Sequence, residues 1–149
     1  MLSDQAASFK NAVPREATSL ADIAEACIDL VRIRLDTMPG RDGQALHLAI
    51  ECDTDAVVEV DPAALREVFV NLLMNAAEAS PHGGDIAVRI GREGAEAFAA
   101  VVDHGNGMDE QTRGRVFEPF FTTKQSHGAG LGLSLCWSVV QSHGGRIGV

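Results

Sequence analysis

From Ser19 onward, apolar residues recur three and four positions apart, at Leu20, Ile23, Ala24, Cys27, Ile28, Val31 and Leu35, which predicts an amphipathic helix. Ser19 supplies an N-cap, with Asp22 three residues on. The turn Pro39-Gly40-Arg41-Asp42-Gly43 ends that helix. Ahead of it, residues 1–18 are polar, alanine-rich and without clear period, and read as a lead-in. Two short strands are expected at 46–50 and 56–60, the second rich in β-branched residues. Asp61-Pro62 then places a capping residue before a proline suited to the first helical position. The helix that follows runs to about Ser80, burying Leu65, Val68, Phe69, Leu72, Leu73 and Ala76. Residues 85–90 and 97–102 read as antiparallel strands joined through Gly91–Gly94. A glycine loop (103–107), a short helix (109–116), a loop at 117–128 and a last helix over 131–143 follow, and a strand begins at 146–149. The order α-β-β-α-β-β-α-β predicts an α+β fold with a layer of helices on one face of a mixed sheet.

Composition narrows the setting. A chain of 149 residues can bury about two-thirds of its unfolded surface, so one domain is expected. The 21 acidic residues outnumber the 12 Lys and Arg, giving a net charge of −9. That balance argues against nucleic acid, whose phosphates are bound by clustered cations. No apolar run reaches the ~20 residues of a membrane span, so no membrane contact is expected. The N-terminus lacks the pattern of a secretory signal. Three cysteines, Cys27, Cys52 and Cys136, without metal-type spacing, suit reduced thiols in a cytoplasmic protein.

Four clusters carry candidate chemistry. Glu67, Asn71 and Asn75 are spaced by four, with Glu78 beside them, so their side chains share one helical stripe. Such a stripe could hold a hydrated cation; taken alone, an ordinary solvent-facing stripe is the simpler reading. Asp103-His104-Gly105-Asn106-Gly107 follows an apolar strand, where a carboxylate can accept a hydrogen bond from a ligand amino group. A plain turn would use the same residues. Val116-Phe117-Glu118-Pro119-Phe120-Phe121-Thr122-Thr123-Lys124 concentrates three of the six phenylalanines in a loop, which reads as an anchored flap. Lys124, one of two lysines, stands where it could reach an anion. The bland counterpart is a satellite apolar cluster beneath a loop. Finally, Gly128-Ala129-Gly130-Leu131-Gly132-Leu133-Ser134 opens a helix and offers free N–H groups to phosphate. Its late position disfavours a dinucleotide-binding unit, and it lacks the Gly-Lys-Ser/Thr ending of a P-loop.

Together and in this order, the clusters resemble the nucleotide-binding catalytic domain of sensor histidine kinases, in the superfamily of gyrase, heat-shock chaperone and mismatch-repair ATPases. Glu67-Val-Phe-Val-Asn71-Leu-Leu-Met-Asn75-Ala-Ala-Glu78-Ala is similar to that family's asparagine box. Asp103-x-Gly105-x-Gly107 and Gly128-x-Gly130-Leu-Gly132-Leu-Ser are similar to its glycine boxes, and Phe117 to Lys124 to its phenylalanine box. The likeness covers residues 17–149, leaving 1–16 as the possible end of a preceding phosphoacceptor domain, and the flap looks most like the nitrogen-regulation and oxygen-sensing branch.

The resemblance implies a two-layer α/β sandwich of the Bergerat type, mostly antiparallel, with one or more C-terminal strands missing. It implies ATP and Mg²⁺ as ligands, with Asp103 accepting from the adenine amino group, Asn71 coordinating Mg²⁺ and Asn75 and Glu78 beside the phosphates. The N–H groups of Gly130, Leu131 and Gly132, together with Gly128, would cradle phosphate oxygens. Gly105, Gly107, Met108, Phe117, Phe121, Thr123 and Lys124 would complete the pocket and its lid, which spans about 108–129. Glu67 becomes the candidate base, and Lys124 the candidate catalytic cation. The acceptor histidine is expected elsewhere, since His47, His82, His104, His127 and His143 all lack the family's acceptor setting. The implied partners are a phosphoacceptor domain, a response-regulator receiver domain indirectly, and a second copy of the parent kinase in a homodimer. The isolated chain is then expected not to phosphorylate itself. Two rival functions share these residues: a protein-serine kinase of the anti-sigma-factor type, and a non-catalytic nucleotide-binding docking module.

Overall fold

Strand β1 (Glu16–Ser19) leads into helix α1 (Leu20–Asp36), followed by strands β2 (Leu46–Cys52) and β3 (Val57–Val60) and the long helix α2 (Pro62–Ala79). Strands β4 (Gly84–Glu93) and β5 (Glu96–Val102), a four-residue helix α3 (Glu110–Arg113) and helix α4 (Gly132–Ser142) complete the order. This computed structural model describes residues 14–38, 45–123 and 132–149.

Both helix caps read from sequence are formed. Ser19 Oγ accepts the Asp22 N–H at 3.1 Å while donating to the Asp55 carboxylate. Asp61 Oδ1 accepts the Ala63 N–H at 3.0 Å, with Pro62 opening α2. Each such cap contributes about 1 kcal/mol.

The strands form two sheets rather than one. β1 pairs antiparallel with β3, Glu16 opposite Val60 and Ser19 opposite Val57. β4 is the centre of the other sheet, parallel to β2 and antiparallel to β5. Ile86, Val88 and Ile90 of β4 are buried and alternate with exposed Arg89 and half-buried Ala87. Period two therefore sends one face to the helices and leaves the other open. The core joins those residues and Leu48 to Ile23, Ala24, Cys27, Ile28 and Val31 of α1 and Phe69, Leu73, Ala76 and Ala77 of α2. Each fully buried Leu, Ile or Phe stabilises this layer by about 1.5–3 kcal/mol.

Three expectations change. β1 has no apolar alternation and exists because β3 offers it a ladder, so pairing overrides local pattern. The short helix is one turn, 110–113, where eight residues were expected. No ladder forms over 146–149, although Arg146 is bonded to the Glu96 carboxylate and Arg113 donates to the Val149 carbonyl.

Candidate active site

α2 organises the site. Glu67 is exposed and Asn71, Asn75 and Glu78 are half-buried along one stripe, while Phe69, Leu73, Ala76 and Ala77 are buried. Asn71 Nδ2 donates to the Glu67 carbonyl at 3.0 Å. Its Oδ1 faces the start of α4: a side-chain carbon added to Gly132 would lie 3.2 Å from that oxygen. A side chain there would press on the amide, so glycine lets the helix begin this close without displacing Asn71.

α4 runs antiparallel along the first half of α2. Gly132 meets Asn71, the Cys136 thiol lies 3.8 Å from the Val68 carbonyl, and His143 reaches the Asp61 N–H at 3.1 Å. Burial pushes the Cys136 thiol up to about 11 and raises Cys27 as well, so both are neutral packing groups.

The glycine loop is clamped on the other end of α2. Asn106 N–H donates to the Ala79 carbonyl at 2.8 Å, and Asp103 Oδ1 accepts the Gly105 N–H at 2.9 Å. A Cβ on Gly105 would stand 2.0 Å from the Ala79 oxygen and 3.0 Å from the Ser80 hydroxyl, so no side chain fits. Asp103 is half-buried and Gly107 exposed beside it. Ala79 and buried Ser80 are site-building residues that sequence reasoning missed; no chemical signal marked them, because their role is to meet a backbone.

Beyond the loop, Met108 is exposed, and the Asp109 carboxylate caps α3 by accepting the Thr112 N–H, which holds it below the usual carboxylate range. Phe117 and Phe121 are half-buried and Thr123 exposed. The Arg115 guanidinium lies 4.6 Å from the Phe121 ring centroid, a cation–π contact that anchors the described part of the flap. Phe120 departs from the anchored pattern: it is 75% exposed with φ at 65°. That left-handed backbone costs about 1–3 kcal/mol for a non-glycine residue. Lys124, Gly128, Gly130 and Leu131, with the remainder of the expected lid and His127, lie outside the described residues.

Among the described residues no group of three or more His, Cys, Asp or Glu could hold a metal ion. Asn71 Oδ1 is a single hard oxygen beside a helix N-terminus. That donor set fits Mg²⁺, which is commonly held by one or two protein oxygens with water and substrate phosphates. The described histidines stand on different elements, and His47 is exposed where a half-buried strand residue was expected. His47 and His82 are exposed on a strand and a turn, His104 sits in the glycine loop, and His143 closes α4.

The chain is similar to known proteins in sequence and in fold. The family described as histidine kinase-, DNA gyrase B- and HSP90-like ATPase matches residues 60–149. The alginate biosynthesis sensor protein KinB of Pseudomonas aeruginosa is 34% identical over 141 residues, covering 91% of this chain and 24% of KinB. The sensor histidine kinase ZraS of Escherichia coli K12 is 38% identical over 97 residues, covering 65% of this chain and 21% of ZraS. Among solved structures, the catalytic domain of histidine kinase ThkA superposes with a TM-score of 0.74 at 28% identity, over 89% of this chain and 86% of that one. The mycobacterial sensor histidine kinase MprB gives a TM-score of 0.73 at 30% identity, over 87% of this chain and 80% of that one. The chain thus spans a quarter or less of the curated sensor proteins and most of a catalytic domain.

Proposed function

The chain belongs to the histidine kinase-, DNA gyrase B- and HSP90-like ATPases, and from that premise we propose that it is the ATP-handling catalytic domain of a sensor histidine kinase. It binds Mg-ATP and passes the γ-phosphoryl group to a histidine on a separate phosphoacceptor domain. The observation that carries this reading is the convergence on α2 of three parts: the Asn71 amide oxygen, the N-terminus of α4, and the glycine loop clamped at Ala79.

Each part has a task. Asp103 keeps Oδ1 on the Gly105 N–H, which fixes its carboxylate at the base end of the pocket to accept from the adenine amino group. Gly105 and Gly107 keep the loop backbone low beside the base, and Met108 closes that end. Asn71 Oδ1 contributes one ligand to Mg²⁺, with Asn75 and Glu78 next to the phosphates. When bound, Mg²⁺ offsets triphosphate charge that an acidic chain has few cations to meet. The N–H groups of Gly130, Leu131 and Gly132, with Gly128, hold phosphate oxygens at the positive end of α4. Phe117 and Phe121 would seat the lid, with Thr123 and Lys124 as its groups for the phosphates.

Glu67, exposed one turn before Asn71, accepts the proton of the acceptor imidazole. A P–N bond then forms to the γ-phosphorus as its bond to the bridging oxygen breaks, and ADP leaves with that electron pair. The phosphoacceptor domain belongs to the parent kinase, a homodimer whose phosphohistidine in turn serves a receiver domain. Among the described residues no helix is long and apolar enough to cross a membrane.

Labelled ATP, offered with and without an added phosphoacceptor domain, tests the reading. Acid-labile label on the added domain, and none on the chain alone, is the expected result. Acid-stable phosphoserine on a partner supports the serine-kinase rival, binding without transfer supports the docking module, and no binding of Mg-ATP overturns all three.

A further inference from the structure

His143 lies at the far end of α4 from the phosphate site and has no role in the scheme above. The helix ends there in two bonds, Gly145 N–H to the Val140 carbonyl and Gly144 N–H to the Gln141 carbonyl, with Gly144 at φ 76°. That pattern caps the helix without help from any side chain. The imidazole does something else. Its Nδ1 lies 2.7 Å from the Val139 carbonyl, one turn back on α4, and its Nε2 lies 3.1 Å from the Asp61 N–H, the residue that caps α2.

A carbonyl only accepts and an amide N–H only donates. Both contacts therefore require a proton on Nδ1 and a lone pair on Nε2, the neutral ring in one tautomer. The imidazolium would set a second N–H against that of Asp61 and break the crossing. Charges around the ring come from three directions. The Asp61 carboxylate is engaged with the Ala63 N–H, Arg15 donates to the Ser142 carbonyl at 2.6 Å, and Glu16 and Glu59 stand on the paired strands that lead to Asp61. The Asp61 N–H is what demands the neutral ring.

The crossing has a lever arm. α4 is eleven residues, about 16 Å at 1.5 Å per residue, and a helix moves along its axis as a rod. At its midpoint Cys136 is fully buried against α2, its thiol 3.8 Å from the Val68 carbonyl, so packing holds α4 on α2 while His143 supplies the directional bond across the two helices. A displacement of α4 at His143 reaches Gly132, whose backbone packs close enough to Asn71 that an added Cβ would stand 3.2 Å from Oδ1. We propose that His143 is a positioning residue for the phosphate site: as a neutral Nδ1–H imidazole it bolts the end of α4 to the cap of α2, and so sets where α4 begins over Asn71.

The inference rests on the Mg-ATP reading only for its binding readout. Nitrogen-15 NMR of the ring in the whole chain reads the tautomer with no nucleotide present; Nδ1–H at pH 7.5 is expected, and Nε2–H or an imidazolium overturns the bolt. Calorimetry with Mg-ATP and with adenosine then separates positioning from general damage. H143A should lose about tenfold in Mg-ATP affinity while holding adenosine within twofold, the loss of one crossing hydrogen bond acting at the phosphate end alone. H143Q, whose amide both donates and accepts, should recover to within about threefold of wild type. If H143A does not fold, H143F, whose ring neither donates to Val139 nor accepts from Asp61, carries the test in its place, with the same loss of about tenfold in Mg-ATP affinity expected. Equal Mg-ATP affinity in wild type and H143A, or a parallel loss of adenosine binding, overturns the proposal. A wild-type chain that binds no Mg-ATP at pH 7.5 overturns the functional reading instead.

Discussion

At its amino end α2 is completed by the chain itself. Asp61 Oδ1 takes the Ala63 N–H, the Asp61 N–H goes to His143, and Pro62 opens the helix without an N–H to satisfy. From Asn71 onward the same helix is built differently. Among the described residues Asn71 is bonded through its Nδ2, Glu67 stays exposed, and the loop that meets Ala79 presents Asp103 half-buried. One end closes its polar groups on one another; at the other, among the described residues, Asn71 Oδ1 and the Glu67 carboxylate keep bonding capacity. Capacity of that kind, kept next to a buried core, is what a binding site needs and a purely structural helix end avoids.

The largest effect should come from Gly105→Ala. The added methyl would stand 2.0 Å from the Ala79 oxygen, so the loop must lift from α2 or α2 must fray. Overpacking of this kind costs about 1–3 kcal/mol, or roughly 2–12 °C in Tm for a domain of this size. Mg-ATP affinity should fall by roughly a hundredfold or more, because Asp103 moves with the loop. Thermal melts and calorimetry check both, and unchanged binding would show that the clamp does not build the site.

Asn71→Ala and Asp103→Asn should separate binding from folding. Asn71→Ala removes an oxygen directed at Gly132 and one local bond; Mg-ATP affinity should drop roughly tenfold or more, with Tm within about 3 °C of wild type. Its loss should be muted in EDTA, where the wild type itself binds weakly. Asp103→Asn keeps an Oδ1 acceptor for the Gly105 N–H, so the turn survives while the acceptor offered to an adenine amino group becomes a donor. Adenosine and ATP should both bind about tenfold or more weakly, and guanosine should not replace them. If either variant melts as low as Gly105→Ala, the capacity assigned to this end is structural after all.

Legibility in the sequence follows the same division. Ser19, Asp61-Pro62 and the apolar spacings of α1 and α2 announce themselves, because caps and amphipathic faces are local patterns. The asparagine stripe and glycine loop were visible as chemistry, but each also fits a surface stripe or a turn until their order is considered. Hidden were contacts made between backbones distant in sequence: β1 on β3, Gly105 against Ala79, and Asp61 across to His143, 82 positions away. No periodicity encodes such pairs, since one partner is a peptide group common to every residue. The strand expected at 146–149 failed for the same reason, because a ladder is a property of two segments.

Midway along α4, Cys136 offers a test that touches neither end. Its folded-state value, about 11, lies above the unfolded 9.0, so the folded chain prefers the thiol. Stability is then intact below pH 9 and falls as pH rises toward 11, by about 1 kcal/mol at pH 10. Alkaline melts of Cys136→Ala should show a shallower decline than wild type. Thiol labelling at pH 8 should reach exposed Cys52 and spare Cys27 and Cys136 until the chain unfolds.

The smallest change should be Asp61→Ala, and it sharpens the comparison most. The substitution deletes the carboxylate that caps Ala63 and keeps the N–H that His143 accepts. Stability should fall by about 1 kcal/mol, roughly 2–4 °C in Tm, as for other lost caps. Mg-ATP affinity should stay within about twofold, because α4 remains bolted at the same height and nothing at Asn71 moves. Set beside H143A, which keeps the cap and breaks the crossing, the two variants form a pair at one location with opposite outcomes. A cap defect that weakened binding in step with stability would mean that the two ends of α2 are not independent.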